Sequence, residues 1–205
     1  MAAGALACAG PVSAIVPSIS AASLQPAISS YPAMLIRLRA GEVVDMRQLR
    51  EAYRRDASYT SHFGIDTKAA SAALDRGRTD KVLRMVDVAL RRSFVDIDAH
   101  FLAAAAYEAE GQGDQADLSR GIATALLDAI LASGDGKTAA SAYRVLSVHE
   151  EYVVANVLGL DVDGQFLKTG GGVYDVMRVT DRTTGERREI WFDISAFMRG
   201  KLASR

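Results

Sequence analysis

The chain has 205 residues, of which 49% are hydrophobic and 24% are charged, the balance of a globular protein with an apolar core. Its 24 basic and 25 acidic residues give a net charge of -1, so it lacks the basic excess with which sequence-independent nucleic-acid binders neutralise phosphates. After residue 40 no uncharged apolar run is long enough to cross a membrane, which excludes a transmembrane span in the mature chain.

Residues 1–30 form a leader without charged residues that is rich in alanine and serine. Such a segment is typical of a signal peptide, and small residues at Ala14 and Ala22 suit cleavage. Because of this composition we expect an exported protein, periplasmic or extracellular. One feature of a signal peptide is missing, since no Lys or Arg precedes the apolar part. The alternative is a cytoplasmic protein whose leader is a disordered tail.

Cys8 is the only cysteine and lies in this leader. The segment "GALAC" allows a lipoprotein anchor at Cys8 as a second alternative. A chain cleaved after Ala14 has no cysteine, which excludes disulfides and thiol catalysis.

Residues 31–133 follow a helical pattern. Met46, Leu49, Ala52 and Tyr53 recur with helical spacing after Asp45, which is a suitable N-cap. Further apolar stripes are formed by Met34, Leu35 and Leu38, and by Val82, Leu83, Val86 and Leu90 with Thr79 or Asp80 as the expected cap.

An alanine-rich helix over "DIDAHFLAAAAYEA" and a second helix capped by Asp114 are separated by Gly111 and Gly113. Small residues let neighbouring helices approach closely, as in tetratricopeptide hairpins. The sequence therefore predicts a tetratricopeptide-like helical half. At most two degenerate repeats are present, so another layer must cover these helices.

Residues 134–205 change to a period of two. "SAYRVLSV" and "LDVDGQFL" alternate around a short helical segment, and "VYDVMRVTDRTTGERREIWFDIS" predicts a hairpin with a turn at Thr184-Gly185. The predicted fold class is α+β, with tetratricopeptide-like helical hairpins followed by a small antiparallel sheet with one covering helix.

The segment "SGDGKT" suggests the end of a phosphate-binding loop. That motif needs a glycine at position 131, which is Leu131, and a preceding strand, whereas a helix precedes this segment. We expect Gly134 to lie just past the helix end with a positive φ, followed by an Asp135-Gly136 turn.

His149-Glu150-Glu151 resembles half of a zinc-hydrolase helix, but Val153 occupies the position of the second histidine. Ser147 and Glu150 have the spacing of a capping box. Asp96 or Asp98 could likewise cap a helix, with His100 as a packing residue. With three histidines in the chain we expect neither a metal nor another cofactor.

Several acidic side chains leave catalysis open. Asp175 and Asp193 fall on paired strands of the hairpin, with Glu151 and His100 as further candidates. Carboxylates that come together raise each other's pKa and could carry acid–base chemistry. The alternative is that each caps a turn or faces water.

Sequence blocks such as "DIDAH", "SGDGKT" and "AYRVLSVHEEY" together resemble a bacterial family of unknown function whose members are usually exported. The resemblance covers roughly residues 40–197. Trp191 departs from the tyrosine expected there, and the leader lacks a basic start. The parts of this sequence that carry the resemblance are "DMRQLREAYRRDASY", "DIDAH", "SGDGKT", "AYRVLSVHEEY", Gly159, Gln165, "YDVMRV" and "IWFDIS".

The resemblance implies no activity, but it indicates a set of polar residues, here named the polar seam, expected where helices meet sheet. We expect Asp135 and Glu151 to accept hydrogen bonds from loop backbone. The predicted function is a non-catalytic protein-interaction module of the envelope with a protein or peptide partner; the alternative is a hydrolase or small-ligand binder that uses the seam carboxylates. The polar seam comprises Asp98, His100, Asp135, Glu150, Glu151, Tyr152, Gln165, Tyr174, Asp175 and Asp193.

Overall fold

The computed structural model describes residues 29–61 and 64–202, with side chains as far as 198. The predicted leader at 1–28 and the anchor at Cys8 lie outside the described residues. The helices before the sheet are α1 (Tyr31–Arg39), α2 (Met46–Arg55), α3 (Thr67–Leu74), α4 (Thr79–Arg92), α5 (Ile97–Ala109) and α6 (Gly113–Leu131).

The second part begins with a 3₁₀ turn at Ala139–Ser141. It continues with β1 (Tyr143–Arg144), α7 (Val148–Val157), β2 (Leu160–Thr169), β3 (Val173–Asp181), β4 (Arg187–Asp193) and α8 (Ser195–Leu202). The α+β fold class is thus confirmed. None of the described helices is long and apolar enough to span a membrane.

The sheet has the order β1-β4-β3-β2. The predicted hairpin is present, with β3 antiparallel to both β2 and β4. The two-residue strand β1 pairs in parallel with β4, however, so the sheet is mixed rather than purely antiparallel. A long connection separates β1 from β4, which is what a parallel pair requires.

Helix starts follow the expected capping chemistry at three sites. Asp45 accepts from Arg47 N, Asp96 accepts from Ala99 N, and Ser147 accepts from Glu150 N. These bonds satisfy N–H groups that have no partner within the helix.

Two predicted caps are wrong. Helix α4 begins at Thr79 after Arg78, and α6 begins at Gly113 after Gln112, in both cases without a side-chain cap. Asp80 and Asp114 lie inside the first turn, where a carboxylate acts on the helix dipole instead.

The predicted positive φ at Gly134 is also wrong; the residue of this segment with positive φ is Gly136, at 69°. Gly134 is required for space. A Cβ there would lie 2.2 Å from Ser141 O, because Asp135 N and Gly136 N both donate to that carbonyl. As expected, helix α6 and not a strand leads into this joint.

The largest hydrophobic core crosses from helices to sheet. Leu49 and Tyr53 of α2 and Leu126 of α6 belong to the same buried cluster as Met177 and Phe192 of the sheet. A smaller cluster lies among α3, α4 and α5. The sheet thus covers α2 and α6. The predicted domain division between residues 133 and 134 and the predicted likeness to tetratricopeptide hairpins stay predictions.

Candidate functional site

Glu150 joins the two parts of the molecule. Its carboxylate accepts from both terminal nitrogens of Arg50, at 2.5 and 2.9 Å, and from Leu146 N at 2.7 Å. Arg50 also donates to Arg144 O at 3.2 Å. Both side chains are buried, at 7% and 1% exposure. Glu150 therefore anchors helix α2 to the segment between β1 and α7. Only half of the predicted capping box forms, because Glu150 N donates to Ser147 Oγ while the Glu150 carboxylate accepts from Leu146 N rather than Ser147 N.

Asp98 and His149 form a second contact between α5 and α7. Asp98 Oδ2 lies 2.7 Å from His149 Nε2, and this carboxylate raises the pKa of His149. His100 lies apart from this pair, because its Nε2 contacts Phe94 O at 2.8 Å. Burial lowers the pKa of His100 to about 4, so this histidine is neutral and structural.

Four predicted residues come together where α7 packs on β2 and β3. The Gln165 side-chain nitrogen donates to Glu151 at 3.0 Å and to Asp175 at 2.7 Å, and the Tyr152 hydroxyl donates to Gln165 Oε1 at 2.9 Å. We call Glu151 and Asp175 the carboxylate pair. Glu151 thus accepts from a side chain and not from loop backbone, which corrects that expectation.

The surroundings of the carboxylate pair disfavour the ionised form of both side chains. Burial, then the nearby Asp175 and Glu150 carboxylates, raise the pKa of Glu151 to about 9. Burial also raises the pKa of Asp175. Glu151 is fully buried and its Oε1 has no hydrogen-bond partner among the described residues. At neutral pH Glu151 is therefore protonated.

The remaining seam residues lie elsewhere. Asp135 is exposed and accepts from Lys137 N at 3.0 Å, as expected for a loop contact. Asp193 pairs in register with Tyr174, whereas Asp175 pairs with Phe192. Alternate residues of a strand face opposite sides, so Asp193 and Tyr174 are on the sheet face opposite the carboxylate pair. Tyr174 stacks edge-on against Trp191 at 6.0 Å.

A groove that sequence reasoning missed opens between α2, the end of α6 and the sheet. Its volume is about 630 Å³. We call it the basic groove. Two carboxylates, Glu51 and Asp193, and several small or apolar residues complete its lining, and no described lining residue is aromatic. Its arginines are Arg47, Arg50, Arg54, Arg55 and Arg144.

The arginines of the basic groove differ in their pairing. Arg54 and Arg55 share Glu51, at 2.5 and 2.7 Å, while Arg47 pairs with Asp45. Arg144 is exposed, and its guanidinium forms no ion pair within residues 29–61 and 64–198. The groove therefore keeps capacity to bind an anionic group.

A signal for this groove was present in the sequence. "DMRQLREAYRRD" places arginines 47, 50, 54 and 55 at helical spacing along α2. The apolar stripe of that helix does not by itself indicate a binding surface on its arginine face. Arg144 could not be placed beside it from local spacing.

A family model described as a domain of unknown function (DUF4919) matches residues 48–202. The matched range includes the Arg50–Glu150 pair, the carboxylate pair and every lining residue of the basic groove except Arg47. Comparison with curated proteins and with solved structures gives no match.

Proposed function

This chain belongs to the DUF4919 family, a domain of unknown function, and we propose that it is a non-catalytic protein-interaction module of the cell envelope whose binding surface is the basic groove. The observation that carries the proposal is the exposed Arg144 guanidinium, which has no carboxylate partner among the described residues, in a groove of about 630 Å³. Arginine is enriched among the residues that dominate binding at protein interfaces.

The surroundings of the groove favour binding by a rigid surface. Arg50 forms part of its floor and is fixed by the buried contact with Glu150. Helix α2 and the loop after β1 are thereby held in one arrangement. A groove that is already formed loses less conformational entropy on binding, which favours affinity.

The polar seam gives less support to catalysis than its composition suggested. His100 and Asp193 lie apart from the carboxylate pair, and Glu150 is held by Arg50. Export is part of the same proposal and is supported by the leader's composition. An envelope location would place the groove where it can meet other envelope proteins.

The test is affinity capture from an envelope extract with the full chain as bait. We expect a partner that the wild type retains and that the double variant Arg54→Glu/Arg144→Glu loses. Arg76→Gln is the matched control, because Arg76 is exposed near the end of α3 and donates to Ala72 O outside the groove. Equal capture by the groove variant would contradict the proposal.

A second candidate function has one specific observation in its favour. Gln165 holds Glu151 and Asp175 against one nitrogen, and both have a raised pKa. Two neighbouring carboxyls that share one proton can act as acid and base. If the protein is a hydrolase or a small-ligand binder at this site, Glu151→Gln must abolish turnover or ligand binding while partner capture is unchanged.

A further inference from the structure

The basic groove has a lining that specifies the chemistry of its ligand. We propose that it binds an acidic peptide segment, with Arg144 as the principal contact to a carboxylate of that segment. This inference rests on the proposed function and names the partner's chemistry.

The charges of the groove identify an anionic ligand. Arg54 and Arg55 both pair with the single carboxylate of Glu51. Arg144 forms no ion pair with any carboxylate in residues 29–61 and 64–198. A guanidinium binds a carboxylate with two parallel hydrogen bonds, which gives both energy and a defined orientation.

The remaining lining favours a peptide over a nucleic acid. Glu51 and Asp193 lie among the arginines, so the groove lacks the unbroken basic surface along which a phosphate backbone binds, whereas Arg144 can bind a single carboxylate. No described lining residue offers an aromatic ring on which a base could stack. Ala129, Ala132 and Ala196 instead supply small apolar surface next to the arginines. Such a mixed surface suits a segment in which acidic residues alternate with small apolar ones.

The position of Arg144 explains its expected importance. It lies on β1, and its own backbone is fixed from two sides, since Arg144 N donates to Ser133 Oγ and Arg144 O accepts from Arg50. Its side chain is exposed, so binding removes it from water without breaking an ion pair to any described residue. Arg54 must instead divide its guanidinium between Glu51 and the incoming carboxylate.

The experiment measures the fluorescence anisotropy of a labelled peptide of alternating Glu and Ala, added to the full chain. We expect saturable binding that weakens when ionic strength rises from about 0.05 to about 0.3 M, because exposed charge pairs are screened by salt. Arg144→Gln should weaken binding about tenfold, the loss of one charge-assisted contact. Arg76→Gln should stay within about twofold of the wild type, since its charge is remote from the groove. Circular dichroism checks that both variants are folded.

Three results would overturn the inference: equal binding of a peptide of alternating Gln and Ala, unchanged binding by Arg144→Gln, or tighter binding of an oligothymidylate than of the acidic peptide. If the acidic peptide does not bind, but the envelope partner is still lost with the groove variant, only the ligand class is wrong. If the acidic peptide binds through Arg144, but no envelope partner depends on the groove, the site is supported and the proposed function fails.

Discussion

Arg50 and Glu150 are 100 residues apart in the chain and form a buried ion pair through both terminal guanidinium nitrogens. Glu150 also accepts from Leu146 N, so one carboxylate binds three nitrogen donors. Buried charges are tolerated only when their partners are complete. This pair therefore determines how α2 is placed against the loop after β1.

Glu150→Gln should destabilise the protein by about 3–5 kcal/mol, because it leaves the Arg50 charge buried without a counter-charge. Chemical denaturation measures the free energy of unfolding. The control is Glu42→Gln, which breaks the exposed pair with Arg37 and should cost less than about 1 kcal/mol. Similar losses in the two variants would show that the buried pair does not hold the two parts together.

Glu151 predicts a decline of stability with rising pH. Its pKa in the folded protein is raised to about 9 from an ordinary value of 4.5, so between these values the folded state holds a proton that the unfolded state has released. Stability from this group is complete at low pH and is lost as pH rises toward about 9, with a slope of up to about 1.4 kcal/mol per pH unit.

Glu151→Gln should flatten that pH dependence, because an amide does not titrate. Unfolding free energies at several pH values measure the slope, with the exposed Glu186→Gln as control. Asp175→Asn should lower the pKa of Glu151, since the Asp175 charge is one cause of its shift. A variant Glu151→Gln that keeps the full slope would disprove this explanation.

The pKa values of the two described histidines should be shifted in opposite directions from the ordinary value of 6.5. Asp98 raises the pKa of His149, whereas burial lowers that of His100 to about 4. NMR of the imidazole signals measures both, and His62→Gln removes the third signal. Asp98→Asn should lower the pKa of His149 and leave His100 unchanged; a shift of both would point to a global change instead.

His149 also carries a linked stability effect. Because its folded pKa is raised, the stabilisation from charged His149 beside Asp98 is present below about pH 6.5 and is lost as pH rises through the folded value. Asp98→Asn should therefore reduce stability at pH 6 more than at pH 9. Thermal midpoints of the wild type and the variant, measured at both pH values, show whether the variant loses more stability at the lower pH.

Gly134→Ala should be destabilising even though its φ is not positive. The added Cβ would meet Ser141 O at 2.2 Å, and overpacking against backbone costs at least about 1–3 kcal/mol. Gly121→Ala is the control, because Gly121 lies within α6 and, apart from the adjacent backbone of that helix, no described atom lies within 4 Å of the new Cβ. That change should stabilise by about 1 kcal/mol through helix propensity. A neutral Gly134→Ala would mean that the joint before β1 can open.

Local patterns predicted most elements but missed the least periodic ones. Half of helix α3 (Thr67–Leu74) is alanine, and with Leu74 as its one large apolar residue it has no clear helical stripe. The alternation over "SAYRVLSV" overestimated β1, because only Tyr143 and Arg144 align with β4. Alternation describes which side chains can share a face, not how far a neighbouring strand extends.

The sequence by itself determined the class of the fold, the caps at Asp45 and Ser147, and the hairpin, and it narrowed the cap of α5 to Asp96 or Asp98. These depend on backbone geometry and on hydrogen bonds between residues a few positions apart. Only the tertiary structure decided that Glu150 meets Arg50, that Glu151 and Asp175 share Gln165, and that Arg144 faces the arginines of α2. Such contacts, and the pKa values that burial produces, arise from the packing of distant segments, which local spacing does not encode.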